Sequence, residues 1–139
     1  MFEKLAMTIR LKEFCRQILA EDSCIRFAGI SDKFGNQIAG EYRKGLTSLL
    51  TECQSDLSAI ESIIRMNTRI DLQLQMGKPL YSFTVYEKIK RTTLSLDNED
   101  YPILMVSFDT EADHESIILN KIIPCVKNEF ERYWLLILY

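Results

Sequence analysis

The 139-residue sequence contains little glycine and proline, a single histidine and no long apolar run. Its five glycines form neither G-x-G-x-x-G nor G-x-x-x-x-G-K-[ST], so the common phosphate-binding loops are excluded. The longest apolar run near an end, residues 134–139, falls far short of the roughly 20 residues that cross a bilayer. Because the N-terminus also lacks an uninterrupted apolar stretch and a small-residue cleavage site, the sequence predicts a cytoplasmic protein.

Cysteine and charge patterns argue against a bound metal and against nucleic-acid or membrane partners. The four cysteines are widely separated and form no C-x-x-C pair, whereas structural zinc usually takes closely spaced ligands. They are predicted to be free, mostly buried thiols in a reducing compartment. With 17 basic and 20 acidic residues the net charge is −3, and neither half of the chain resembles a nucleic-acid or membrane surface. No cofactor is predicted.

No group of residues indicates catalysis. The sole histidine, His114, is accompanied by no nucleophile motif such as G-x-S-x-G and is interpreted as a solvated residue at a helix start. The neighbouring Asp109, Glu111, Asp113 and Glu115 lack the residue order of an EF-hand, and negative charge near a helix N-terminus is stabilising by itself. We interpret these four as capping residues. The sequence therefore predicts no catalytic and no metal-binding residues, and a protein that is not an enzyme.

The apolar spacing that is present divides the chain into helices and strands. Steps of three and four residues over about 3–20 predict an amphipathic helix. Residues 24–30 and 37–42 are rich in Ile, Phe and Tyr and predict a hairpin, with Gly35 at positive φ in its turn. Because a strand rather than a helix follows Gly35, no helix N-terminus faces the loop that begins at Gly29. We interpret that loop as a turn and not as a phosphate site.

A heptad-like apolar seam predicts a long second helix. Its members follow one another at steps of four, three, four, three and four: Leu46, Leu50, Cys53, Leu57, Ile60 and Ile64. A second apolar set beside the seam predicts either a contact with another protein or a wide stripe buried within the domain. Residues 70–76 fit a strand or a helix end, and the helix is favoured because Gly77 is a suitable C-terminal stop.

The remaining sequence predicts three strands and a final helix. Residues 81–85 alternate in polarity, 89–96 follow after a turn, and 101–108 are apolar enough to be central in a sheet. Asp113 is expected to cap a last helix that Pro124 kinks. The predicted fold class is therefore α+β: one domain over 1–139, with a five-stranded antiparallel sheet, flanking helices and the order α-β-β-α-β-β-β-α.

This element order, together with the hairpin "CIRFAGISDKFGNQIAGEYRKG", resembles the roadblock/dynein light chain class of profilin-like domains. The stretch "IIRMNTRIDLQLQMGKPLYSFTVYEKIKRTTLSL", followed by "ILMVSF", is similar to an uncharacterised family of small archaeal proteins. The resemblance covers about residues 20–125. Its motifs are structural and not catalytic, so they bear on the fold more than on the function.

The resemblance implies a homodimer that acts as a scaffold or regulator bound to small GTPases. In roadblock proteins the long helix and the third strand form the dimer interface. Transferred to this sequence, that interface comprises Leu46, Leu50, Cys53, Leu57, Ile60, Ile64, Tyr81, Phe83 and Val85. The chain departs from the family in a hydrophobic C-terminal extension at 131–139, which raises the alternative that the tail covers a partner.

Two arginines suggest a second kind of contact. Arg65 and Arg69 lie four residues apart and can form one face of the long helix, suited to an anionic ligand or partner; the alternative is an ion pair of Arg65 with Glu61. The alternative to a dimeric interaction module is a small-molecule sensor of the PAS or GAF type. In such a domain a pocket between the sheet and the long helix would use polar groups such as Arg65 and Tyr81.

Overall fold

A computed structural model describes the backbone of residues 2–133 and the side chains up to residue 130. The predicted hydrophobic extension at 131–139 lies outside the described side chains. The extension, and the assignment of the whole chain to one domain, therefore stay predictions.

The structure confirms the predicted fold class and element order. A short helix, α3, follows the long helix, and the C-terminal helix consists of four consecutive segments in which α and π turns alternate. The elements are α1 (Phe2–Glu21), β1 (Ile25–Ser31), β2 (Gln37–Tyr42), α2 (Glu52–Ile70), α3 (Gln73–Met76), β3 (Tyr81–Val85), β4 (Lys90–Ser95), β5 (Ile103–Phe108) and the C-terminal helix (His114–Ile117, Ile118–Ile122, Ile123–Val126 and Lys127–Tyr133).

All five strands form one antiparallel sheet in the order β2-β1-β5-β4-β3. The apolar strand β5 lies at the centre, as predicted, and its side chains are almost entirely buried. Strand β3 is an edge strand, because β4 is its only partner among the described residues. One side of β3 therefore presents unpaired backbone groups.

Two helices cover one face of the sheet and contribute most of the core. Leu11, Phe14 and Ile18 of α1 pack with β-strand residues and with the C-terminal helix. The rings of Phe14 and Phe130 meet edge-to-face at a centroid distance of 5.3 Å. Apolar positions three and four residues apart place these α1 side chains on one buried face.

The opposite face of the sheet carries α2 and a much smaller core. Ala59, Ile63 and Met66 of α2 pack on Ile103 and Met105 of β5. Side chains of alternate residues of β5 therefore pack into the cores on opposite faces of the sheet, as the two-residue period of a strand requires. The domain has three layers, and its own sheet buries only one narrow face of α2.

The predicted start of the long helix is wrong. The helix begins at Glu52 and not near Leu46, because Thr51 forms a capping box with Gln54: each side chain accepts a hydrogen bond from the other residue's backbone N–H. Leu46 and Leu50 lie in the preceding loop, in which Gly45 has φ +87°. The apolar spacing of the seam continues into this loop only by coincidence, because the capping box at Thr51 marks the start of the helix.

The predictions for two glycines, Gly77 as a helix stop and Gly35 as a turn residue at positive φ, are confirmed. Residues 70–76 are helical except for a break between α2 and α3, and Gly77 follows α3 at φ +80°. Gly35 has φ +88° in the β1–β2 turn, where a Cβ would lie 2.5 Å from Cγ1 of Ile60. The turn thus approaches α2 closely. The kink predicted at Pro124 stays a prediction. A π turn over Ile118–Ile122 precedes Pro124, which cannot donate the N–H of a regular α turn.

Candidate functional site: an interaction surface and an adjoining cleft

An exposed apolar stripe runs along α2. Leu57, Ile60 and Ile64 follow one another at helical spacing, and Leu57 is 56% exposed. Cys53, one helical step earlier, is also exposed. All four cysteines are free, but Cys15 alone among them is buried, so the prediction of mostly buried thiols is wrong. The structure thus brings together the four predicted interface residues that lie on the helix. A contiguous exposed apolar surface of this kind is typical of an interaction site.

The predicted interface residues of β3 lie on the other face of the sheet. Tyr81 and Phe83 pack against the core that α1 and the C-terminal helix form. The ring of Phe83 stacks on the ring of His114, with 3.7 Å between the two ring centroids. Val85 is 64% exposed. The polar cavity between α2 and β3–β4 is lined by Tyr81, Ser82, Phe83 and Thr84 of β3, and the two-residue period of the strand directs the side chains of Ser82 and Thr84 to the α2 side. Helix α2 and β3 can therefore share an interface only through the open strand edge and not through one continuous apolar surface.

An apolar cavity of about 490 Å³ lies where the loop before α2 faces the sheet. Its apolar lining comes from three strands, β1, β2 and β5, on the sheet side and from the loop and the β3–β4 turn on the other. These residues are Phe27, Tyr42, Leu49, Leu50, Ile89 and Met105. Leu50, predicted to lie on the interface, is therefore a lining residue of this cavity.

A second cavity, of about 370 Å³, is polar and lies between α2 and the β3–β4 pair. Arg65, Arg69 and Arg91 line it, and Glu61 is the only acidic residue in its lining. Further lining comes from the hydroxyl-bearing residues Ser58, Ser62, Tyr81, Ser82, Thr84, Tyr86 and Thr93. The sequence pointed to Arg65 and Arg69, whereas Arg91, on a separate strand, was interpreted with Lys88 and Lys90 as a solvated charge at a strand end. Arg91 and Tyr86 line both cavities.

The positive charges of the guanidinium groups in the polar cavity are only weakly neutralised by neighbouring acidic groups. Arg65 lies 3.9 Å from Glu61, the ion pair considered as an alternative from the sequence, and 3.5 Å from the hydroxyl of Ser62. Both charged groups are largely exposed, so this pair contributes little. Among the side chains described, those of residues 2–130, Arg69 and Arg91 make no hydrogen bond or ion pair with their side chains. Their donors are available to a ligand.

An ion-pair cluster holds Arg26 at the margin of the apolar cavity. Asp109 accepts hydrogen bonds from Arg43 at 2.7 and 3.1 Å and from Arg26 at 3.0 Å. The hydrogen bonds from Arg43, followed by those from Arg26, lower the pKa of Asp109 despite its partial burial. The capping role expected of Asp109 is therefore wrong. Its partners lie 66 and 83 residues away in sequence, so local spacing gave no signal.

Asp109→Asn is expected to lower the free energy of unfolding at pH 7 by about 1–3 kcal/mol, because two guanidinium groups lose their carboxylate. The pKa of Asp109 is lower in the folded state than its unfolded value of about 3.9. The contribution is therefore complete above that value and is lost as pH falls through the folded pKa. Urea titrations at pH 7 and pH 3 measure this; the exposed Asp100→Asn is the control. A constant difference between the two pH values would contradict the assignment.

Three further titratable groups, His114, Cys15 and Asp113, lie outside the linings of the two cavities. His114 is not simply solvated: besides stacking on Phe83, its Nδ1 lies 3.2 Å from Nζ of Lys90. Burial raises the pKa of the Cys15 thiol to about 12, which opposes formation of a reactive thiolate. Asp113 caps the C-terminal helix as predicted, by accepting from the N–H of Ser116. In the described part of the chain no three His, Cys, Asp or Glu residues are grouped to hold a metal ion.

Comparison with known proteins places the fold. No established protein family and no curated protein matches the sequence. Among solved structures, MglB of Myxococcus xanthus matches with TM-score 0.68 and 12% identity over 93% of this chain and 91% of that one. The Roadblock/LC7 domain of Streptomyces avermitilis gives 0.66 and 12%, over 91% and 98%. The gliding protein MglB of Thermus thermophilus gives 0.64 and 14%, over 88% and 89%.

The chain therefore has the roadblock fold that its sequence resembles. The closer resemblance to a family of small archaeal proteins finds no support, since no sequence family matches. A further structure, described as MglB with a tetrameric arrangement, matches with TM-score 0.59 and 14% identity, over 86% of this chain and 89% of that one. None of the helices described in residues 2–133 is both long and apolar enough to span a membrane.

Proposed function

We propose that this chain is a non-enzymatic, homodimeric protein-interaction or regulatory module that works in the cytoplasm without nucleic-acid or membrane partners. The observation that carries the proposal is the exposed apolar stripe of Leu57, Ile60 and Ile64 on α2, together with the open edge of β3. Large apolar side chains and free strand edges are costly to leave exposed, and association removes both costs. The roadblock fold supports the same interpretation.

The strand edge has the donors that a second copy requires. The N–H of Tyr86 donates to the carbonyl of Ile89 across the β3–β4 pair at 2.8 Å. Because N–H directions alternate along a strand, those of Tyr81, Phe83 and Val85 point away from β4. Two β3 edges can pair antiparallel about a two-fold axis. In this dimer the predicted residues Tyr81 and Phe83 contribute backbone rather than side chains.

A small GTPase is the partner class that we propose for the dimer. The support is the sequence resemblance to roadblock proteins, together with structural similarity to MglB and to MglC of Myxococcus xanthus. The MglC structure matches with TM-score 0.53 and 11% identity, over 86% of this chain and 98% of that one. Binding of purified small GTPases, each loaded in turn with GDP and with a non-hydrolysable GTP analogue, tests this partner class by calorimetry.

Leu57→Asp is expected to weaken the dimer at least about 30-fold. Each copy loses part of a leucine's burial, on the order of 1 kcal/mol, and gains a carboxylate in an apolar contact. Sedimentation equilibrium over a range of protein concentrations measures the effect. Leu119→Asp is the matched control, because Leu119 is 41% exposed on the C-terminal helix, which lies on the opposite face of the sheet. A monomeric wild type, or equal effects of the two substitutions, would remove the proposed interface.

The apolar cavity favours a second candidate function, small-molecule sensing. A volume of about 490 Å³ is within the range of small-molecule sites, and its lining is mainly apolar with a few charged groups. The polar residues expected for such a pocket, Arg65 and Tyr81, line the neighbouring polar cavity. Ligand binding and dimerisation use different residues of α2 but share β3, so ligand affinity and oligomeric state have to be measured separately for each variant.

A further inference from the structure

We infer that the cleft between α2 and the sheet binds an amphipathic anion, a molecule with an apolar body and one carboxylate or phosphate group. This inference rests on the second candidate function, ligand binding in the cavity, and is independent of dimerisation. It goes further by naming the ligand's chemistry. The apolar cavity would hold the body, and the arginine-lined cavity would hold the charged group.

The apolar cavity is suited to a hydrocarbon or aromatic body. Phe27 and Met105 line it from the sheet, and Leu49 and Leu50 line it from the loop before α2. Leu49 is exposed although it belongs to this lining, so a ligand would cover apolar surface that the chain leaves in contact with water. Covering such surface is the main driving force for small-molecule binding in apolar sites.

The polar cavity is suited to a single anionic group. Three guanidinium groups, from Arg65, Arg69 and Arg91, line it against one carboxylate, that of Glu61. Guanidinium donors match the geometry of carboxylate and phosphate oxygens and can bind them in bidentate fashion. Hydroxyl-bearing residues of β3, Ser82 and Thr84, lie in the same lining and can donate further hydrogen bonds.

Arg91 connects the two cavities. Its side chain lines both, as does Tyr86, so a charged group at Arg91 is adjacent to the apolar cavity. An inorganic anion would leave the apolar cavity unfilled, and a neutral apolar molecule would make no use of the arginines. One ligand with both characters satisfies both parts of the cleft. Because the side chain of Arg91 has no ion partner among the described residues, binding would not have to break an existing pair.

The test uses the full chain and five probes: decanoate, octanoate, decyl phosphate, decanol and inorganic phosphate. Calorimetry is expected to show that decanoate binds and that octanoate binds roughly tenfold more weakly, because two methylenes leave the apolar cavity. Decanol and inorganic phosphate are each expected to bind at least tenfold more weakly than decanoate. Comparison of decanoate with decyl phosphate identifies which anionic group the arginines prefer; tighter binding of either over decanol supports the inference.

Two substitutions locate the site. Arg91→Gln is expected to weaken decanoate binding roughly tenfold and to leave decanol binding unchanged, whereas Leu50→Asp weakens both. Arg16→Gln is the matched control, since Arg16 lies exposed on α1 at the opposite face of the sheet. Chemical-shift changes in the NMR spectrum of the labelled chain are expected on β4 and the loop before α2, and thermal melting shows that each variant is folded.

The outcomes distinguish a failure of the proposed ligand class from a failure of the ligand-sensing function. If decanol binds as tightly as decanoate and Arg91→Gln changes neither, the anionic class is wrong while ligand sensing survives. If no probe carrying an alkyl chain binds, both the class and the sensing function are wrong. Sedimentation equilibrium with and without decanoate measures the oligomeric state, so that the calorimetric results can be interpreted whether or not the chain dimerises.

Discussion

Val85→Pro is expected to weaken the proposed dimer about 30-fold while leaving each subunit folded. The N–H of Val85 points away from β4, so its loss leaves the β3–β4 pair intact. Each copy would lose one hydrogen bond across the new strand pair, about 1 kcal/mol each, and would place a proline ring at the contact. Together these effects amount to about 2 kcal/mol in the dimerisation free energy.

Val85→Thr is the matched control for this substitution. Threonine keeps the backbone N–H and the β-branched shape, so the dimer is expected to persist. Sedimentation equilibrium measures both variants, and circular dichroism checks that the proline variant retains its fold. A proline variant that dimerises as well as wild type would show that the strand edge is not the contact, even if the α2 stripe is.

The fold was predictable because its periodic segments are locally consistent. The alternation in 81–85 and the apolar run of β5 each indicate one structure, and both appear as predicted. The start of α2 was predicted wrongly because apolar spacing alone carried the prediction. Thr51 and Gln54 form the capping box that ends the loop, a signal that is readable in the sequence.

The candidate site was predictable only where one element forms it. The stripe of Leu57, Ile60 and Ile64 follows from helical spacing within α2. Which face of the sheet β3 turns toward α2 depends on its register with β4, which the sequence does not specify. The pairing of Asp109 with two distant arginines likewise depends on tertiary structure.

The two faces of the sheet differ in how much apolar surface they bury. The large core with α1 and the C-terminal helix supplies most of the burial, whereas α2 contributes a small core, an exposed stripe and two cavities. Surface used for binding cannot also be buried within the subunit, so stability has to come from elsewhere. This division predicts that core substitutions near α1 change stability far more than substitutions along the exposed stripe of α2.

Phe14→Ala tests that division and is expected to lower the free energy of unfolding by about 3–5 kcal/mol. Phe14 is 2% exposed. Its replacement by alanine removes the edge-to-face contact with Phe130 as well as the packing of the ring in the core. Urea titration at one fixed protein concentration measures the change, because dimerisation would otherwise shift the midpoint. Phe34→Ala, at a site 72% exposed in the β1–β2 turn, is expected to stay within about 0.5 kcal/mol of wild type. A loss below about 1 kcal/mol for Phe14→Ala would mean that α1 does not supply the main core.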